Sequence, residues 1–267
     1  MAEIAGVHLL QPLDLVTSPR RSAVAVVDLE GRLTALHLAA DDADLLERIP
    51  AEAGWVVVDA PLAVPNETGR RDVETVLSWC DVPAFPVSAR RLAQVHGGAR
   101  GPGLAAALAR EGRTVRETLP DLVLRELAWE RDHPPDAPPM DLADYRAAWL
   151  GVRAPAYRPK GGGRARPAGL RAAWELLAGV LDLGGWVPQG GDDWQALHDA
   201  ARLDALCCAV AGLRLARGGH AVSIGSDALG HLTFPADANL RGRVALTLRR
   251  LGSEGTLRIP TGDGLGS

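Results

Sequence analysis

Three acidic residues stand where an acid is costly unless something answers its charge. Asp59 follows the apolar run Trp55-Val56-Val57-Val58 and precedes Ala60-Pro61. Such a run, stopped by a proline, predicts a strand buried on both faces, whose carboxyl edge is where open α/β sheets hold ligands. Asp59 reads equally well as the cap of the turn that Ala60-Pro61 opens. Glu117 closes a second strand pattern, Arg113 to Glu117, just before Thr118-Leu119-Pro120. Asp204 lies inside a long helical pattern, Asp192 to Arg217, between Leu203 and Ala205-Leu206-Cys207-Cys208. Small neighbours let such a helix press against a sheet and carry the acid inward. Carboxylates gathered with no fixed Lys or Arg beside them repel, and a divalent ion, Mg²⁺ or Mn²⁺, is the usual answer. Two such ions about 4 Å apart can activate water and stabilise the leaving oxygen when a phosphodiester is cleaved.

The elements that must position these acids follow from the patterning. Ile4 to Leu10 predicts a first strand with His8 near its end, Ser22 to Asp28 a second, and Arg32 to Ala40 a third. The turn Asp28-Leu29-Glu30-Gly31 makes the last two antiparallel. Asp41 to Ile49 has a capping Asp pair and helical spacing, and as a crossover it sets the 55–59 strand parallel to one of the first three. Within that strand Val57 and Asp59 share one face, and Val56 and Val58 the other. Further helices are expected over Val73 to Cys80, Asp121 to Arg131 and Gly169 to Leu183, with a terminal hairpin from His220 to Ile224 and Leu229 to Phe234. His198 and Asp199 are expected at the rim of the last long helix.

Two stretches invite a phosphate reading. Gly97-Gly98-Ala99-Arg100-Gly101-Pro102-Gly103 looks like a phosphate loop but lacks both nucleotide-binding spacings and the Lys-Ser/Thr ending, so a helix entrance is the better reading. Tyr157 to Pro167 holds Arg158, Lys160, Arg164 and Arg166, and is either a phosphate contact or a solvated loop.

Composition excludes several classes. The chain has 267 residues, 47% hydrophobic and 23% charged, with net charge -4. That is ordinary globular composition, without the global basic field of many nucleic-acid binders. Three cysteines without metal-ligand spacing read as reduced thiols, there is no signal-peptide pattern, and no run is long enough to span a bilayer. A cytoplasmic protein without membrane contact is the expectation.

The motifs VVVDAPL at 56–62, Arg70-Arg71-Asp72, FPVS at 85–88, VRETLPD at 115–121, YRPK at 157–160 and RLDALCCAVAGL at 202–213 jointly resemble a family of predicted ribonuclease H-like nucleases. The likeness runs from about residue 4 to residue 235, and it is carried by the order of the motifs. It implies an α/β fold with a mixed sheet, three antiparallel strands followed by parallel ones, flanked by helices. One domain over 1–252 is expected, with insertions around 66–112 and 132–168 and a flexible tail over 253–267. It further implies a divalent-metal nuclease with Asp59, Glu117 and Asp204 as ligands and His8 as ligand or base. Arg70, Arg71 and Lys160 would contact the phosphates of DNA or RNA. Relatives read Gly-(Val/Ile)-Asp in the first strand, where this chain has Gly6-Val7-His8. Imidazole can ligate Mn²⁺ or Zn²⁺ but suits Mg²⁺ poorly, and it cannot bridge two ions as a carboxylate does. Asp14 is a possible substitute, and Asp28 belongs at the opposite edge. The departure leaves open a nuclease of altered metal use, a one-metal enzyme, and a degenerate module that binds nucleic acid or a protein partner without cutting. A phosphotransferase of the actin-like type is disfavoured by the absence of glycine-rich phosphate hairpins.

Overall fold

A computed structural model of the chain describes residues 2–13, 20–158, 166–226 and 228–253. Asp14, Lys160 and Arg164, and the tail from 254 onward, lie outside the described residues. The architecture is α/β: one seven-stranded mixed sheet in the order β3-β2-β1-β4-β5-β7-β6, flanked by helices. Its strands are β1 (Glu3–His8), β2 (Ser22–Asp28), β3 (Leu33–Ala39), β4 (Ala53–Val58), β5 (Thr114–Glu117), β6 (Ala221–Ser226) and β7 (Gly230–Pro235).

β1, β2 and β3 form an antiparallel meander, and β4 lies parallel to β1 on its other side. β5 runs parallel to β4. The terminal hairpin, β6 with β7, extends the sheet beyond β5, with β7 parallel to it. The crossover before β4 contains α1 (Asp42–Glu47), whose N-cap Asp41 accepts from the Asp44 amide. Asp28 pairs with Glu3, at the end of the sheet away from His8, and its carboxylate is taken up by the amides of Glu30 and Arg32.

The two faces of the central strands follow the period of two. Ile4 and Val57 face the layer of α5 (Pro120–Asp132), α7 (Pro167–Ala178) and α8 (Asp193–Ala216). Ala5, Val7, Val56 and Val58 face the opposite layer, with Leu45 of α1 and Leu104 and Leu108 of α4 (Gly101–Arg110). A third cluster lies at the β6–β7 end. It draws on α2 (Asp72–Trp79), α6 (Leu142–Gly151) and α9 (Ala238–Arg250). Among the described residues a further helix, α3 (Ala89–His96), is capped by Ser88 and closed by Gly97 in the left-handed region.

Most elements fall within a few residues of their sequence expectation. The 55–59 strand ends one residue earlier, so Asp59 is the first residue beyond β4. α6 and α9 were not expected. Tyr145 and Trp149, one turn apart on α6, are wholly buried, and α9 buries Leu240, Val244 and Leu248 from its Asp237 cap. The glycine-rich stretch is a helix entrance, and at Gly101 an added Cβ would meet the Pro61 carbonyl oxygen at 2.1 Å. All three cysteines are free and buried. Among the described residues no helix is long and apolar enough to cross a membrane.

Candidate functional site

The site is built from one strand end, one loop start and one helix face. Gly6 pairs with Val57 and Val7 with Val58, so His8 and Asp59 come next in register at the carboxyl ends of β1 and β4. The Asp59 amide continues the ladder to the Val7 carbonyl at 3.1 Å. Alternation puts both side chains on the face of Ile4, Gly6 and Val57, which is the face α8 covers.

α8 reaches that face because both partners are small where they cross. A Cβ on Gly6 would meet the Ala205 carbonyl oxygen at 2.1 Å and the Ala209 nitrogen at 2.3 Å. A Cβ on Gly212 would meet Ile4 Cγ2 at 2.6 Å. Asp204, Cys208 and Gly212 are spaced by four, so they form one helical stripe on the sheet. Gly212 lies by Ile4, the Cys208 thiol reaches the Val7 carbonyl at 3.4 Å, and Asp204 arrives beside His8.

Each of the three side chains offers a metal-ligand atom, and these atoms lie within 4.8 Å of one another. His8 Nδ1 is 2.6 Å from Asp59 Oδ2 and 3.5 Å from Asp204 Oδ2. Asp59 Oδ1 accepts from the Leu9 amide at 2.8 Å. Burial disfavours a charged imidazole, but the charge and hydrogen bond of Asp59, with Asp204 behind them and Arg158 opposing, raise the His8 pKa above its ordinary value.

Asp204 is 2% exposed and fully engaged. Arg158 Nε donates to its Oδ2 at 2.9 Å, and Arg158 Nη2 and the Tyr157 hydroxyl both donate to its Oδ1. Burial pushes the Tyr157 hydroxyl well above its ordinary pKa, and Asp204 adds to this against Arg158, so Tyr157 acts as a donor. The remaining Arg158 nitrogen, Nη1, reaches Asp121 at 2.9 Å.

Glu117 is not a member of this group. Its two oxygens accept from Arg71 Nη1 at 2.8 Å and Nη2 at 2.6 Å, and the Leu62 amide is 3.3 Å away. Arg71 Nε donates to Glu74 at 2.7 Å, and Nη1 also reaches the Ala63 carbonyl. Burial opposes the charge on Arg71, but Glu117 and then Glu74 outweigh it and hold its pKa above the ordinary value. The expectation that these acids lack a fixed arginine is therefore corrected: Arg71 answers Glu117, and Arg158 answers Asp204. Arg71 is buried with all three of its guanidinium nitrogens hydrogen-bonded, and Arg70 is exposed and bonded to Ser78. Asp199 is buried away from the rim, accepting from the Gln189 and Gly190 amides. Arg158 was expected as one cation of a phosphate contact or a solvated loop, and the hold that it and Tyr157 have on Asp204 was not expected, although the YRPK motif contains both. Neither family models, nor curated proteins, nor solved structures offer a match to this chain.

Proposed function

We propose that the chain is a divalent-metal-dependent nuclease of ribonuclease H-like fold, hydrolysing a phosphodiester of DNA or RNA. The observation that carries this reading is the convergence of His8, Asp59 and Asp204 from β1, the end of β4 and α8. The strand order β3-β2-β1-β4-β5, antiparallel in its first three members and parallel from β1 to β5, supports the fold assignment.

The donor set fits an ion. One imidazole and two carboxylates at this spacing suit Mn²⁺ better than Mg²⁺. His8, Asp59 and Asp204 would hold it. Such an ion supplies Lewis-acid charge to a phosphate and lowers the pKa of water. The chain itself supplies orientation. The Leu9 amide fixes Asp59 from the backbone, and Tyr157, from the irregular segment after α6, fixes Asp204. His8 Nδ1 is hydrogen-bonded to Asp59 in the resting arrangement, and above its raised pKa the imidazole is a neutral nitrogen donor.

A specific observation favours a second reading, a module that binds nucleic acid or a protein partner without cutting. Asp204 already faces the Arg158 guanidinium and Asp59 is hydrogen-bonded to the His8 imidazole, so the repulsion that recruits metal is partly answered. Cleavage of labelled single-stranded, duplex and hybrid substrates in Mn²⁺ and in Mg²⁺ separates the two. The nuclease reading expects Mn²⁺-dependent cleavage that Asp59→Asn abolishes. Cleavage undiminished in Asp59→Asn overturns it. An inert wild type with activity gained in His8→Asp supports the binding module.

A further inference from the structure

The same carboxylate that a divalent ion would use is held by an arginine. Asp204 is nearly solvent-free, and a buried carboxylate needs a cation or a full set of donors. Arg158 meets that need with Nε and Nη2, one to each oxygen. Its Nη1 extends the other way, to Asp121, whose side chain is 71% exposed. The guanidinium thus bridges the buried acid and solvent, with 36% of its own side chain exposed.

Arg71 offers the contrast. It also forks onto a buried glutamate, but its side chain is 2% exposed and it is held by Glu117, Glu74 and the Ala63 carbonyl together. Arg71 has no route to an incoming ligand. Arg158 has one, and a guanidinium fork fits a phosphate as well as it fits a carboxylate.

We infer that Arg158 is an exchange residue: it moves its fork from Asp204 to a phosphodiester oxygen of bound nucleic acid, and so releases Asp204 to a divalent ion. The inference rests on the proposed metal reading of the cluster and names how substrate and ion are linked there. A fork engaged on a phosphodiester leaves Asp204 to the ion, and an ion on Asp204 leaves the fork to a phosphodiester. Metal and phosphodiester therefore bind with positive coupling, and the coupling is reciprocal.

Calorimetric titration of Mn²⁺ into the full chain, with and without a saturating thymidine dinucleotide, tests this directly. Chromatography of the recovered dinucleotide confirms that it stays intact. The expected result is Mn²⁺ affinity raised about fivefold or more by the dinucleotide, with the dinucleotide's affinity raised by the same factor in Mn²⁺. In Arg158→Met, Mn²⁺ alone binds more tightly than in the wild type, and the dinucleotide no longer changes it. Arg158→Lys keeps a cation beside Asp204 and serves if the Met variant does not fold; its coupling is weakened, because an ammonium cannot fork. Mn²⁺ affinity indifferent to the dinucleotide in the wild type overturns the exchange role and leaves the metal site standing. An absence of Mn²⁺ binding in the wild type and both variants, with or without dinucleotide, overturns the role and the metal reading together.

Discussion

Replacing Arg71 by methionine tests whether Glu117 belongs to the fold or to the site. Arg71 and Glu117 are 2% and 4% exposed in their side chains, and two nitrogen–oxygen contacts of 2.8 and 2.6 Å join them. The same guanidinium holds Glu74 at 2.7 Å. Methionine fills much of the volume and supplies no donor, so two buried carboxylates lose their cation at once. Removing one partner of a buried pair costs about 3–5 kcal/mol, because the remaining charge is left uncompensated. For a chain of this size that corresponds to a melting temperature lower by about 6–20 °C. Urea unfolding followed by tryptophan fluorescence, with Glu117→Gln in parallel, reads the effect. Glu117→Gln is expected to cost less, since Arg71 keeps Glu74, and to leave Mn²⁺ binding intact. A loss below about 1 kcal/mol in Arg71→Met, the scale of a surface pair, would refute the claim that the pair is buried and structural. Mn²⁺ binding abolished in Glu117→Gln at unchanged stability would return Glu117 to the ligand set.

Two other perturbations have outcomes set by the structure. Gly6→Ala places a methyl against the backbone of α8, which cannot yield as a flexible side chain does, so a loss above about 3 kcal/mol is expected in the melting curve; unchanged melting would mean that α8 does not lie on β1 as described. Glu126 is wholly buried, and burial, with Asp237 and Glu130 behind it, raises its pKa well above the ordinary carboxylate value. The folded state therefore keeps a proton that the unfolded chain has lost. Stability contributed by Glu126 is full below the unfolded pKa and falls as pH rises toward the folded one, by up to about 1.4 kcal/mol per pH unit. Glu126→Gln should remove that part of the slope in urea titrations at successive pH values, and an unchanged slope would show that Glu126 is ionised in the fold.

The parts of the site that follow from local periodicity were legible. Alternation along Trp55 to Asp59 put Asp59 on a definite face, and the small residues around Asp204 marked a helix that packs closely on a sheet. Register then brings His8 beside Asp59, which no spacing in the chain specifies. What the sequence hid is pairing across distance. An acid at a strand end reads the same whether it awaits an ion or an arginine, and Arg71 lies 46 positions before Glu117. Arg158 lies 46 positions before Asp204 and appeared only as one cation of a basic stretch. α6 escaped for a related reason: its buried Tyr145 and Trp149 lie among polar and exposed residues, and both meet Trp129 edge to face, a partner far away in sequence.

The acids that looked alike in sequence thus differ in the mobility of their counter-charges. Glu117 is matched to an arginine enclosed by two carboxylates and a carbonyl, an arrangement in which every guanidinium nitrogen already has an acceptor. Asp59 is matched to an imidazole, which, unlike a guanidinium, can give up its proton and become a donor of electrons instead. Asp204 is matched to an arginine with one edge in solvent. The counter-groups of Asp59 and Asp204 are thus less enclosed than that of Glu117, and the two acids they serve meet at one atom, His8 Nδ1. On this reasoning the chemistry of the site is decided less by which acids converge than by which of their partners can leave.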